Sequence, residues 1–324
     1  YTPASLEAEG KSKERAEQLI ALVNRIVSES PDKFAIALSP DDIEKQFTER
    51  KISLPMGMEN GSPIDGDLNN IQHFFDEGIR YITLAHSLSN HISDSSYDDN
   101  KVHGGLSHFG REVVREMNRV GMMIDISHVS DAAFWEVMDL STAPAIASHS
   151  SARHFTPGFE RNMNDEMIQK LAENEGVIMI NYGSAFLTAE ANQYSSLQDQ
   201  AWEEFKTQNE LDVSDKFGSV QGGARDQFDA DYAELNPYPF ASLDETLDHF
   251  DHVVNLTGSV DYVGIGSDYD GVGDTLPIDL KDVSTYPNLI EGLLKRGYSK
   301  DAIQKILGGN LLRVWRAVEA AAEH

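Results

Sequence analysis

A single parallel (β/α) barrel is the fold class that this sequence predicts, on three observations. Short apolar runs alternate with helical segments along the whole chain. Six of the runs end on a chemically distinctive residue: Glu59, His86, His128, His149, Tyr182 and Asp268. The glycine-rich phosphate turn of a dinucleotide-binding sheet is missing, since Gly264-Ile265-Gly266 runs into Ser267-Asp268 and not into a helix opening. A doubly wound open sheet is the runner-up. A closed barrel of the common kind needs eight strand–helix units. The expectation is therefore that two strands belong before Tyr1, which is not an initiator Met.

In chain order, Lys11–Ser28 carries Ala16, Leu19, Ile20, Leu22, Val23, Ile26 and Val27 at helical spacing, and Ser30-Pro31-Asp32 ends it. Phe34–Leu38 reads as a short strand. Ser39-Pro40-Asp41-Asp42 is a helix start, with a Ser cap, Pro at the first helical position and acids in the first turn, so Asp41–Arg50 reads as a helix. Ile52–Met58 reads as one strand running into Glu59, Asp67–Glu77 as a helix, and Ile79–Ala85 as a strand ending at His86. Ser87–Gly105 is a polar loop and Ser107–Val120 a helix. Asp165–Glu173 is helical and Gly176–Tyr182 a strand. From Gly183 to Phe240 the chain is polar and acidic, with one helical piece around Gln198–Gln208; so long an excursion reads as a lid or binding loop. Leu243–Thr257 is a helix, Tyr262–Ser267 a strand ending at Asp268, and Tyr286–Leu294, Lys300–Leu307 and Asn310–Ala322 are helices. No repeat, low-complexity tract or linker divides the chain. The expected organisation is one domain, 1–324, with a lid-like insertion at about 183–240.

Gly121–Arg153 is the chemical centre. Met122–His128 and Ala143–His149 are both apolar runs that stop at Ser-His, with a helical segment, Asp131–Leu140, between them. Strand, helix, strand makes a parallel crossover, so His128 and His149 emerge together at the C-terminal edge, where active sites of parallel α/β proteins form. Two imidazoles so placed point to a metal, neutral imidazole being a common zinc ligand. The alternative is that each caps its strand by bonding a carbonyl.

Composition narrows the function. A net charge of −28 over 324 residues, with a pI near 4.6, repels phosphate backbones and anionic lipid, which argues against nucleic-acid or membrane-surface binding. There is no cysteine, hence no disulfide or thiolate chemistry, and no Gly-X-Ser-X-Gly elbow. No run of 18 apolar residues exists to span a bilayer as a helix. With Tyr1 as the first residue, neither a periplasmic or secreted nor a cytoplasmic location is selected.

Seven ordered motifs then carry a family resemblance. Gly57-Met58-Glu59-Asn60-Gly61, Thr83-Leu84-Ala85-His86, Asp125-Ile126-Ser127-His128-Val129-Ser130, Ser148-His149-Ser150-Ser151-Ala152-Arg153, Arg161-Asn162, Gly264–Gly271 and Asn310-Leu311-Leu312-Arg313-Val314 resemble the membrane dipeptidase (renal dipeptidase, peptidase M19) family, from about residue 31 onward. The resemblance implies a (β/α)8 TIM-like barrel of the metal-dependent hydrolase type. It further implies two zinc ions and hydrolysis of dipeptides by a metal-activated hydroxide. Carried across by motif, Glu59 resembles the metal-bridging carboxylate, and His128 and His149 the imidazole ligands of the second metal. His86 resembles the histidine that contacts substrate near the scissile carbonyl. Arg161 resembles the arginine that grips the substrate carboxylate, and Asp268 the proton-shuttling acid. The family's His-X-Asp ligands of the first metal have no counterpart, since no His precedes His73.

Each assignment has a plainer alternative: a loop acid for Glu59, a core histidine for His86, an ion pair with Glu160 or Asp165 for Arg161, a helix cap for Asp268. His73, His91, His103, His108, His154, His249, His252 and His324 receive no role, and the acids from Asp226 to Asp251 read as solvated surface. The competing functions are an amidohydrolase opening lactams or cyclic amides, and a catalytically silent metal-binding barrel. A small dipeptide is the expected partner, and a homodimer is left open.

Overall fold

The computed structural model describes residues 1–209 and 224–323. Among the described residues eight strands form two parallel sheets. β1 (Phe34–Ile36) and β2 (Ile52–Leu54) make a small sheet of their own. β3 (Met56–Glu59), β4 (Ile79–Thr83), β5 (Met123–Asp125), β6 (Ile146–Ala147), β7 (Val177–Ile180) and β8 (Val263–Ile265) make the main sheet, each hydrogen-bonded to the next in sequence. Strict sequential order is the winding of a (β/α) barrel; a doubly wound sheet would reverse direction part-way. Among the described residues β3 and β8 are the two edges of this sheet.

One expectation is corrected here. Ile52–Glu59 is not a single strand, because Pro55 divides it. Proline has no N–H to give a ladder. The first half therefore pairs with β1 and the second with β4. The helix Ser12–Glu29 lies against this break, and an apolar groove of about 540 Å³ runs between its Ala16, Ile20 and Val23 and the β3 residues Met56 and Met58.

The intervening helices start where polar caps specify. Ser39, Ser107, Ser130 and Asn164 each accept a backbone N–H three residues on, and Ser242 and Glu245 form a reciprocal capping box. Gly121, left-handed at φ 82°, stops His108–Val120. The helices bury Phe74, Val113, Met117, Phe134, Val137, Ile168, Leu171 and Phe250 against the sheet, and β7 is buried along its whole length. This two-sided burial is why the strands read as continuous apolar runs.

The segment after β7 is more helical than its composition indicated. Ser184–Leu187, Ala189–Gln208 and Ala224–Leu235 are helices, and the last two meet through Trp202, Phe205 and Phe228, whose ring centres lie 5.2–5.7 Å apart. Residues 210–223 lie outside the described residues. The acids that follow are not merely solvated. Arg296 donates to Asp248 and Asp251 at 2.6 Å each, and so ties Leu243–Thr257 to the helix Tyr286–Lys295.

Candidate metal centre and active site

Five strands of the main sheet deliver their following residues to one edge. Glu59 is the last residue of β3. His86 stands three residues past β4, His128 three past β5, His149 two past β6 and Asp268 three past β8. Two of these backbones are left-handed, His128 at φ 70° and Asp268 at φ 55°, a conformation few non-glycine residues adopt outside constrained sites. At His128 the surrounding loop imposes it, because Ser96 donates its N–H to the His128 carbonyl at 2.7 Å.

The side chains converge. Glu59 Oε1 lies 3.1 Å from His128 Nε2, 3.1 Å from His149 Nε2 and 3.5 Å from His86 Nε2, and the Nε2 atoms of His128 and His149 are 2.8 Å apart. Burial alone would raise the Glu59 carboxyl, but the His128 and His149 imidazoles set against it hold it well below the usual carboxylate range. Burial pushes His86 down to about 4, and burial, reinforced by the Arg161 cation, pushes His128 well below its ordinary value. The His86 and His128 imidazoles, kept uncharged by burial, and the His149 ring beside them thus aim nitrogens at one anionic oxygen. So many lone pairs and so few protons in one place is the donor chemistry of a divalent cation site, and imidazole with carboxylate suits zinc. The plainer strand-cap and loop-acid alternatives for Glu59, His128 and His149 do not describe this arrangement.

Beneath the cluster sits a support that the motifs contained but sequence reasoning did not single out. Asp125, wholly buried, accepts from Thr83 Oγ1 at 2.5 Å, Ser148 Oγ at 2.6 Å, Ser148 N at 2.8 Å and Ser127 N at 3.0 Å. Ser148 Oγ is also 2.7 Å from His149 Nδ1. Its single proton goes to Asp125, so it accepts from Nδ1–H and leaves the His149 Nε2 lone pair facing Glu59. The signal was a charged residue closing an otherwise apolar strand. Replacing Asp125 by Asn removes an acceptor and adds donors toward Ser148. Affinity for the cation is expected to fall by about 10- to 100-fold, as for other partners that orient a ligand, read by zinc titration.

Asp268 faces the same space. Burial raises its carboxyl above the ordinary value, against the opposing effects of His149 and of a 3.0 Å hydrogen bond from Asn181 Nδ2. Gly271 leaves room for this carboxylate, since a Cβ there would stand 2.0 Å from Asp268 Oδ1 and one of the two would have to shift. Arg161 is buried and bonds Ser150 Oγ and the His149 carbonyl, each at 2.7 Å, while its Nε has no partner. The ion pair with Glu160 or Asp165 is not formed: Glu160 pairs with Lys101 and Asp165 with His252. Glu59, His86, His128 and Asp268 line a cleft of about 770 Å³, with Tyr97, Phe186 and Tyr269 among its other walls.

The sequence matches the model of the membrane dipeptidase family, peptidase family M19, over residues 1–324. The chain belongs to that family. An uncharacterized dipeptidase of Schizosaccharomyces pombe is 32% identical over 303 residues, covering 93% of this chain and 62% of its own length. The dipeptidase aclJ of Aspergillus oryzae is 35% identical over 307 residues, covering 94% and 61% respectively. The chain therefore spans about three-fifths of these curated relatives. Among solved structures, that of the probable dipeptidase PvdM from Pseudomonas aeruginosa superposes with a TM-score of 0.82 at 29% identity, covering 99% of this chain and 83% of that one.

Membership of this family accounts for the ordered motifs, and several of them meet around the cluster. Asn181, from the end of β7, steadies Asp268, and Ser127 and Ser148 hold Asp125. Of the histidines given no role, His103 bonds the Asn90 carbonyl and His249 bridges Ala152 and Leu187 inside the core. His154 and His252 form a separate cluster with Asp165.

Proposed function

We propose that this chain hydrolyses dipeptides with a divalent cation, zinc by its ligand chemistry, held by Glu59, His128 and His149. The observation that carries the reading is the approach of three imidazole nitrogens to within 3.5 Å of one carboxylate oxygen, beside a buried arginine that has no acidic partner among the described residues. When bound, the cation activates a water near neutral pH and polarises the scissile carbonyl. Asp268, ionised, takes the proton of the attacking water and passes it to the leaving amine. His86 stands beside the reacting carbonyl and donates to its oxygen as negative charge develops there. Arg161 takes the free carboxylate of the dipeptide in a two-pronged bond, which fixes the scissile bond at the cation and limits substrate length.

The test is hydrolysis of Gly-Xaa and Xaa-D-Xaa dipeptides, their C-terminal amides and matching tripeptides by zinc-loaded protein. Dipeptides are expected to be cleaved, and amides and tripeptides to be poor substrates. Zinc uptake without turnover of any dipeptide would overturn the reading in favour of a silent metal-binding barrel, and cleavage of cyclic amides alone would favour a lactam amidohydrolase. Arg161→Lys keeps the charge but loses the fork. It is expected to raise KM for dipeptides by about tenfold or more, with a smaller effect on kcat, measured by steady-state kinetics.

A further inference from the structure

A second group of metal-ligating side chains lies outside the catalytic cleft and shares no residue with it. His154, Asp165 and His252 each offer one ligand atom, and these atoms lie within 4.8 Å of one another. His252 Nε2 is 2.7 Å from Asp165 Oδ1, and the His154 and His252 rings stack with centroids 4.5 Å apart and planes inclined by 22°. The three come from different parts of the fold. His154 is in the turn Arg153–Phe155 after β6, Asp165 opens the helix Asp165–Glu173, and His252 belongs to the helix Leu243–Thr257.

We propose that His154, Asp165 and His252 form a second cation site, selective for zinc-class divalent ions, that fastens the β6–Asp165 loop to the helix Leu243–Thr257. Two imidazoles and one carboxylate are the ligand set of borderline transition metals, and nitrogen donors disfavour calcium and magnesium. An ordinary His–Asp hydrogen bond accounts for His252 and Asp165 but leaves the second imidazole, stacked and with its nitrogen close to both, unexplained. The donors also rest on fixed backbone. Arg153, next to His154, grips Asp131 with two bonds of 2.6 and 2.7 Å, and Asn164 caps the helix that Asp165 begins. Phe155 packs against the His154 and His252 rings with centroids 4.9 and 5.6 Å away, restricting their orientation. His154 is exposed, so an ion enters directly from solvent, and the strong negative charge of the chain favours cation capture.

The fastened loop carries Arg161, so occupancy of this site stiffens the segment that bears the guanidinium without touching the cleft. The test is calorimetric titration of the whole chain with zinc chloride, supported by cobalt absorption spectra and thermal melts. The wild type is expected to bind one more zinc equivalent than His154→Ala, and at a weaker site than the catalytic one. Loss of a ligand costs more than the roughly 10- to 100-fold lost with an outer-shell partner, so the His154→Ala equivalent leaves the measurable range. His154 is exposed, so this variant keeps the fold, and His252→Ala provides the second check. In Glu59→Gln, zinc is still expected to raise the melting temperature, and adding His154→Ala is expected to abolish that rise. This arm reads the site independently of the catalytic proposal. Equal zinc stoichiometry in wild type, His154→Ala and His252→Ala overturns the inference, as does zinc binding at this locus only at millimolar concentration, the behaviour of an adventitious ion only.

Discussion

Glu59→Gln is expected to lower kcat/KM for dipeptides by about 10⁴-fold, about 5.5 kcal/mol of transition-state stabilisation, and to remove one tightly held zinc equivalent. The substitution keeps the size and the hydrogen-bonding reach of the side chain and deletes only its charge. That charge is the element the imidazole donors lack: burial keeps His86 and His128 uncharged, and the nearby Arg161 is a buried cation. With the carboxylate gone, a divalent ion would face three imidazoles and a guanidinium in a poorly solvated cleft, where repulsion is only weakly screened. Zinc titration and dipeptide kinetics on the same preparation separate the outcomes. Retained activity with retained zinc would reduce Glu59 to a solvated loop acid, and the metal centre would have to be sought elsewhere.

The parts of this molecule legible in the sequence were those set by local pattern. Strands β4, β5, β6, β7 and β8 are apolar runs that stop at polar residues, and the ends marked at His86, His128, His149, Tyr182 and Asp268 fall within three residues of the strands observed. The helices Asp131–Leu140, Asp165–Glu173 and Leu243–Thr257 have the same bounds in sequence and structure, because Ser130, Asn164 and Ser242 announce them chemically. The division of Ile52–Glu59 was hidden, since Pro55 interrupts a run whose hydrophobicity does not change. Between β7 and Leu243 only the helical piece at Gln198–Gln208, the end of Ala189–Gln208, was legible; the rest of that helix and Ala224–Leu235 were hidden by polar composition, since Trp202, Phe205 and Phe228 meet only across two helices.

The site shows the same division. Strand-end position put Glu59, His128 and His149 together in advance. What remained illegible depends on residues that meet through space. Asp125 acts through Ser148 on the next strand end, and His86, assigned to catalysis and substrate contact and not to metal, lies almost as near Glu59 as the two imidazoles assigned to metal. His154 and His252 are separated by a helix, β7 and the long segment after it, and nothing in either neighbourhood announces the other.

Asp268→Asn is expected to cut kcat by about 10³-fold while raising thermal stability at neutral pH, and the two effects have one origin. Asp268 is buried enough that its carboxyl titrates above the ordinary value, so the folded state holds this proton more tightly than the unfolded chain does. The contribution of such a group to stability is fully present below its unfolded pKa and is lost as pH rises through its raised folded pKa. At pH 7 the native protein therefore bears the cost of an ionised carboxylate in a cleft it already shares with Glu59. Asparagine removes that cost without disturbing the scaffold. It tolerates the left-handed backbone at φ 55° as well as aspartate does, and its carbonyl can accept the Asn181 bond. Glutamate, which reaches further and is less suited to that backbone, would do neither. The wild-type pH–kcat profile is expected to fall on its acid side with a midpoint above that of an ordinary aspartate, as Asp268 becomes protonated and can no longer take a proton from the attacking water. In Asp268→Asn that limb is expected to disappear from the residual rate, and the melting temperature at pH 7 to rise by a few degrees. If the variant melts lower than the wild type, or keeps both its rate and its acid limb, Asp268 is a structural cap at the end of β8 and the proton must travel by another group.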